Sequence, residues 1–277
     1  MQSYGCYKQV WRRVIKYIEH DAIYKLVHNL GQSLLDWRIS GEYFERTSKV
    51  GLKTVADKKA HNFLVNGLSN LYPEIKIISE EDEFHDNSRP ECYWIIDPID
   101  GTASWLEGFD GFVVQMALIE NKMPIYSIVF APALGKTYYA IKGEGAFLNG
   151  NRILLLGNKS KGITVVDNTN KPHGVSKLLF NQLGAKNYIE SGSLGLKCCL
   201  VAEGVADVFV KDVAVRDWDI APAYLILQES GGEICLPSCS NYIFDGPMEK
   251  PEGVIVASNK HLLNQVCEIT ININIHK

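Results

Sequence analysis

Four acidic side chains stand at the ends of predicted elements, where distant parts of a chain can converge. Glu80 follows a predicted strand over 75–79, Asp97 and Asp100 follow one over 93–96, and Asp219 opens a helical run behind Trp218. Gathering such carboxylates costs on the order of several kcal/mol in repulsion and lost hydration unless cations neutralise them. Hard carboxylate oxygens suit Mg2+, with Mn2+ as a substitute, rather than zinc. Glu80, Asp97, Asp100 and Asp219 together are expected to hold two or three divalent ions.

The segment Asp97-Pro98-Ile99-Asp100-Gly101-Thr102 carries the most information. Pro98 has a fixed φ and is expected to bend the chain off the strand. Asp97 and Asp100 then face one point across a turn, and the Ile99 carbonyl can add an oxygen. Gly101 permits close backbone approach, and Thr102 is expected to open a short helix through Trp105. A helix N-terminus presents free N–H groups and a positive dipole end, which bind phosphate. Metal ligands beside such a terminus describe a phosphate-ester site. Spacing alone leaves open a plain turn with a solvated acidic face, and the run Glu80-Glu81-Asp82-Glu83 is open to the same reading.

Positioning these groups requires ordered elements on both sides. Ile23, Leu26, Val27, Leu30 and Leu34 recur at helical spacing before Gly41, and a second helix is expected over 54–71. A strand-rich series follows from Phe112 to about Gly150, with the best boundary at 151–162. Beyond it, strands over 163–166, 208–210 and 254–257 alternate with helices over 174–183, 193–203 and 219–230, as in an α/β layer. Residues 1–20 read as an extension, a basic amphipathic helix better suited to docking on the body than to a membrane. The tail Ile-Thr-Ile-Asn-Ile-Asn-Ile-His-Lys alternates as a strand does.

The charge balance narrows the partners. The chain of 277 residues has a net charge of -4, yet the window from Ser79 to Asp110 holds ten acids and one base, Arg89. No basic excess argues for a nucleic-acid polymer or an anionic membrane. Seven scattered cysteines without a Cys-x-x-Cys pair argue against structural zinc and read as incidental thiols in a reducing compartment. The N-terminus lacks a secretory core and the sequence lacks an 18-residue apolar run, so a cytoplasmic location is expected.

These residues resemble a known family. WIIDPIDGTASWLEG is similar to the first signature of the inositol monophosphatase-like, lithium-sensitive phosphatases, and DWDIAPAYLILQESGG to their second. TVADKKA, SEED, GAFLNG and SGSLGLKCCLVAEGVADVF also fit, in family order, over about residues 21–265. The resemblance implies a layered αβαβα sugar-phosphatase fold, with 21–155 as an α+β metal-binding half and 156–277 as an α/β half completing the site. It implies Mg2+-dependent hydrolysis of a small phosphomonoester, lithium inhibition at sub- to low-millimolar levels, and frequent homodimers. Carried over residue by residue, Glu80, Asp97 and the Ile99 carbonyl bind the first metal, and Asp97, Asp100 and Asp219 the second. A weaker third ion rests on Glu80, and Thr102 with Asp57 orients and deprotonates the attacking water. The Gly101 and Thr102 amides hold phosphate, while Gly192, Ser193 and Leu194 line the leaving-group side.

Two substrate classes compete: a polyol or sugar monophosphate, for which Asp212 is the candidate hydroxyl contact, and adenosine 3',5'-bisphosphate. Lys197 is placed either against a second phosphate or towards solvent. A non-catalytic metal-binding homologue is a third reading. Glu81 is expected beside the ligands or facing solvent, and Asp217, His61, His85 and His173 at the surface. Trp105 and Leu106 stand where an asparagine–phenylalanine-like step is frequent, a departure expected to reshape the pocket wall.

Overall fold

The computed structural model describes residues 18–45, 53–84, 88–155 and 162–274, so the basic extension lies largely outside the described residues. Helix α1 (His20–Ser40) forms because Ile23, Val27, Leu30 and Leu34 make one buried stripe, and it stops at Gly41, whose φ of 71° suits a left-handed cap. Helix α2 (Val55–Leu71) starts at Thr54, whose hydroxyl caps the Ala56 amide. Both helices pack on one face of the first sheet.

That sheet runs, among the described residues, in the order β1 (Lys76–Ser79), β2 (Cys92–Asp100), β3 (Val113–Glu120), β4 (Met123–Ala131), β5 (Lys136–Ile141), β6 (Gly145–Leu148) and β7 (Asn151–Ile153). Helix α3 (Thr102–Glu107) joins β2 to β3. Strand β1 pairs with β2 in parallel and the remaining pairs are antiparallel. Successive side chains on a strand point to opposite faces. Trp94 and Ile96 therefore join the core under α1 and α2, while Tyr93 and Ile95 join the core on the other side. With both faces covered, β3 and β4 read as nearly continuous apolar runs.

The second sheet is built from β8 (Thr164–Asp167), β9 (Asn187–Glu190), β10 (Val208–Lys211), β12 (Glu233–Cys235) and β14 (Val254–Ala257), in the order β12-β14-β10-β8-β9. A short pair, β11 (Val215–Arg216) with β13 (Glu249–Lys250), stands apart. Helices α5 (Leu194–Ala202) and α6 (Asp217–Ser230) fill the space between the two sheets. Helices α4 (Gly174–Gln182) and α7 (Lys260–Asn274) cover the outer face of the second sheet. The layers are thus helix, sheet, helix, sheet, helix, the expected αβαβα order. Among the described residues, no helix is long and apolar enough to cross a membrane.

Three expectations are corrected. The C-terminal tail is not a strand: α7 continues to Asn274, because Leu262, Leu263, Val266, Cys267 and Thr270 lie buried at helical spacing. Packing of that face overrides the strand preference of its β-branched residues. Strand β2 does not end before Pro98; it runs to Asp100 through a register shift, with Asp97 opposite Gln115 and Asp100 opposite Val113. The extra residue is a bulge, a place where a proline's missing N–H does no harm. The stretch 151–153 belongs to the first sheet rather than to a linker.

Candidate active site

The site lies where β2 ends and the N-termini of α2, α5 and α6 arrive. Asp97 is buried by the sheet, 1% exposed, and its Oδ1 accepts the Ile99 amide at 3.1 Å. Asp100 emerges after the bulge onto the N-terminus of α5. There its Oδ2 accepts from the Ser193 hydroxyl at 2.5 Å and the Gly195 amide at 2.8 Å, and its Oδ1 faces the Leu194 amide at 3.4 Å. A carboxylate at this point meets the positive end of the helix. Asp219 sits in the first turn of α6, where its Oδ2 accepts the Arg216 amide at 2.9 Å and caps the helix. One carboxylate oxygen each of Asp97, Asp100 and Asp219 lie within 4.8 Å of one another. Glu80 enters from the end of β1, its own amide bonded to the Ile96 carbonyl at 3.1 Å.

Crowding shows in the acidities. Burial, followed by the charge of Glu81, pushes Glu80 up to about 7. Burial, followed by Glu80 and Asp100, raises Asp97 well above the carboxylate range, and burial with Asp100 and Glu80 does the same to Asp219. Groups that resist ionisation for want of a counter-charge are the donor set that a hard divalent cation satisfies. The residues therefore fit a metal centre. In the metal-free protein these acids keep protons that the unfolded chain releases. Their folded pKa values are raised, so the stability they confer is complete at low pH and is lost as pH rises through the folded values. Without divalent ions, the melting temperature is expected to fall from about pH 4.5 towards pH 7, the interval that Glu80 spans. Mg2+ is expected to raise melting more at pH 7 than at about pH 5. A thermal-shift series at both pH values checks this, and an equal Mg2+ effect at the two would contradict it.

Beside the carboxylates, Asp57 is 3% exposed and doubly used. Its Oδ2 accepts the Thr54 amide at 2.6 Å and the Thr54 hydroxyl at 2.7 Å, closing the cap of α2. Its Oδ1 lies 3.0 Å from the Thr102 hydroxyl, which is also 3.1 Å from the Ile99 carbonyl. Being a helix-start charge and being the partner of Thr102 are thus the same placement. A hydroxyl has one proton, and one donated to Asp57 leaves the Thr102 oxygen free to accept from a water. Burial pushes the pKa of Asp57 up against the lowering effect of these bonds, favouring a group that can take up a proton.

Close backbone approach sets the shape of the opposite wall. The Ser193 amide donates to the Gly111 carbonyl at 2.6 Å. A Cβ on Gly192 would stand 1.9 Å from the Ser104 hydroxyl, so only glycine fits. Gly101 has φ 92° and starts α3 beside this contact. Ser193 caps α5, accepting the Leu196 amide at 2.9 Å. Of the leaving-group trio, then, Ser193 and Leu194 also hold Asp100. Asp212 is exposed on the loop between β10 and β11, outside the carboxylate group.

Several polar residues stand elsewhere than expected. Asp217 is not a surface charge: it is 0% exposed, with Arg89 at 2.6 Å and the Tyr242 hydroxyl at 2.7 Å. Lys197 does not face solvent. It is 3% exposed, donates to the Ser191 and Gly192 carbonyls at 3.2 and 2.8 Å, and burial lowers it to about 8. Glu81 pairs with Lys53 at 3.1 Å, and the same ammonium donates to the Glu80 carbonyl at 3.1 Å. His61 is half-buried on the Ser79 hydroxyl at 2.9 Å. His173 is exposed as expected, while His85 lies outside the described residues. Trp105 forms no pocket wall; it is 0% exposed and donates to the Leu34 carbonyl at 2.8 Å, pinning α3 to α1. Sequence reasoning passed over Gln115, Lys53 and Arg89. Only Gln115 carried a local signal, as the polar residue within an apolar strand.

Comparison with known proteins resolves the family. The model of the inositol monophosphatase family matches residues 19–273. The chain belongs to the inositol monophosphatase family. It is 32% identical over 212 residues to a fructose-1,6-bisphosphatase/inositol-1-monophosphatase of Thermotoga maritima, covering 76% of this chain and 81% of that one. It is 34% identical to a putative Nus factor SuhB of Neisseria meningitidis, covering 77% and 82%, and 31% identical to a 3'(2'),5'-bisphosphate nucleotidase CysQ of Aggregatibacter actinomycetemcomitans, covering 69% and 77%. The solved structure of a Thermotoga maritima IMPase superposes with a TM-score of 0.78 at 25% identity, covering 92% of this chain and 98% of that one. The family is metal-dependent, and the acidic group at the end of β2 could hold a metal ion.

Proposed function

We propose that this chain is a Mg2+-dependent phosphomonoesterase acting on a small polyol or sugar phosphate through an activated water. The observation that carries this reading is the convergence of Asp97, Asp100 and Asp219 beside a Thr102–Asp57 hydrogen bond of 3.0 Å. Glu80, Asp97, the Ile99 carbonyl, Asp100 and Asp219 would hold two or three ions. When bound, Mg2+ acidifies a water and neutralises phosphate charge. The chain's own groups supply the rest. Thr102 orients the water and passes its proton towards Asp57, whose other oxygen is pinned by Thr54. The N-terminal amides at Gly101 and Thr102 orient the phosphate, and Gly192, Ser193 and Leu194 bound the leaving group.

Lys197 bears on the choice of substrate. Its ammonium is committed to two backbone carbonyls, so it offers no receptor for a second phosphate. That favours a monophosphate over adenosine 3',5'-bisphosphate. Retention of the full acidic set together with Thr102 and Asp57 argues against a non-catalytic homologue. Phosphate release from inositol 1-phosphate, fructose 1,6-bisphosphate and adenosine 3',5'-bisphosphate, with and without Mg2+, tests the proposal. Release from inositol 1-phosphate foremost, only with Mg2+, is expected. Tight metal binding without release from any of the three would overturn it. Lithium at low-millimolar levels is expected to inhibit.

Thr102→Ala is expected to lower kcat by roughly 10²–10⁴-fold, the usual weight of positioned proton transfer, with little change in KM. Steady-state kinetics at saturating Mg2+ checks this. A raised KM with normal kcat would assign Thr102 to binding alone.

A further inference from the structure

We propose that Gln115 is a positioning residue of the metal centre: its amide fixes which oxygens of Asp97 and Asp100 face the cations and ties both to the first turn of α6. The proposal rests on the metal-dependent reading above. Gln115 is the single polar residue from Phe112 to Ile119, and it is 0% exposed. Burying an amide is unfavourable unless its hydrogen bonds are made. Its Nε2 lies 3.2 Å from Asp100 Oδ2, 3.4 Å from Asp97 Oδ2 and 3.2 Å from the Trp218 carbonyl. The Trp218 carbonyl and Asp100 Oδ2, which also accepts from Ser193 and Gly195, are acceptors, so the amide has one acceptable orientation, with NH2 towards them and Oε1 away.

The rejected end shows the cost. Among the described residues, Gln115 Oε1 has no hydrogen-bond partner. It presses on the backbone of α5, where a Cβ added to Gly195 would stand 2.0 Å from it. A methionine would fill a similar volume without a stranded acceptor, so packing alone does not account for an amide here.

Its effect is to sort the carboxylate oxygens. Asp100 Oδ2 is already held by Ser193 and Gly195, and Gln115 adds a third donor to it, while Oδ1 has the longer contact, 3.4 Å, to the Leu194 amide. On Asp97, Oδ2 faces the Gln115 amide at 3.4 Å while Oδ1 accepts the Ile99 amide at 3.1 Å, so each oxygen has its own donor. The third contact, to the carbonyl between Asp217 and Asp219, ties the side chain that touches Asp97 and Asp100 to the backbone of the turn that carries Asp219. Groups that orient metal ligands in this way typically hold 10–100-fold of metal affinity, about that factor on removal.

The test is Mn2+ binding, followed by electron paramagnetic resonance, beside the Mg2+ dependence of phosphate release. Gln115→Met and Gln115→Asn are compared with the parent and with Asp219→Asn. Asparagine keeps an amide but falls one methylene short of the aspartates, so it reads the proposal even where methionine disturbs the core. Both variants are expected to bind Mn2+ about 10–100-fold more weakly and to need correspondingly more Mg2+ for half-maximal rate. At saturating Mg2+ their kcat is expected to recover to within about threefold. Mn2+ affinity within about twofold of the parent, or a lowered kcat with unchanged Mg2+ dependence, overturns the proposal and leaves Gln115 a packing residue. Failure of the parent itself to bind Mn2+ overturns the metal centre, and this proposal with it, whereas a loss confined to Asp219→Asn overturns only the role of Gln115.

Discussion

Asp97→Asn is expected to abolish the proposed Mg2+-dependent phosphate release, with a drop of roughly a thousandfold or more in kcat/KM, while the protein stays folded. The magnitude follows from charge. An amide has nearly the shape of the carboxylate but brings no negative charge to a dication. About 4 kcal/mol of transition-state stabilisation corresponds to a thousandfold in rate. The fold survives because Asp97 opposes Gln115 within a fully paired strand and its Oδ1 contact to the Ile99 amide is available to asparagine. Without metal the variant is expected to melt no lower than the parent at neutral pH. Burial and the charges of Glu80 and Asp100 already hold Asp97 far above the usual carboxylate range, so without metal it keeps its proton, and a neutral asparagine of nearly the same shape removes no charge-dependent stability. The two readouts are phosphate release against Mg2+ and melting temperature in chelator. Near-normal turnover would sink the assignment of Asp97 as a metal ligand. Loss of activity with collapse of the fold would leave the charge argument unsupported.

What the sequence makes legible is local. Asp97, Asp100 and Thr102 fall within six consecutive residues, so one turn announces them, and Asp219 is marked by its place at the start of a helical run. Helix α1 declares itself through period and a glycine stop. Residues whose meaning depends on a distant partner do not declare themselves. Asp217 reads as a solvated charge beside Trp218 until β13 and the 242–247 segment bring Tyr242 and the carbonyls held by Arg89 around it. Arg89 reads as the odd base in an acidic window, yet its side chain is 4% exposed. Lys197 belongs to a helix that is buried on every side between two sheets, a circumstance that composition cannot express. The tail fails for a related reason: alternation of isoleucine with asparagine fits a strand, and only the apolar groove on the second sheet selects the helix. The layer order follows from alternating elements, but which face of each strand meets which helix emerges from tertiary packing.

Arg89→Met is expected to cost about 3–5 kcal/mol of stability, the usual penalty for stranding one member of a buried ion pair. The guanidinium lies 2.6 Å from Asp217, with the two side chains 4% and 0% exposed, and donates further to the Gly246 and Pro247 carbonyls. Burial, the largest effect, pushes Asp217 up, and Arg89 acts against it; with Arg89 gone the nearest cation is Lys250 at 3.8 Å. For a chain of this size the penalty corresponds to a fall in melting temperature on the order of 10 °C. The double variant Arg89→Met/Asp217→Asn is expected to recover much of it, because an asparagine can keep the Tyr242 bond without a buried charge. The consequence for the site follows from position. Asp217 opens α6 and Asp219 lies one step beyond Trp218 in the same turn, so a loosened pair frees the turn that presents Asp219, the proposed metal ligand. Weaker Mg2+ binding in Arg89→Met, restored in part by the second substitution, would show that this buried pair steadies the acidic site as well as the fold. A single variant that melts with the parent would show instead that Lys250 and the backbone suffice to hold Asp217.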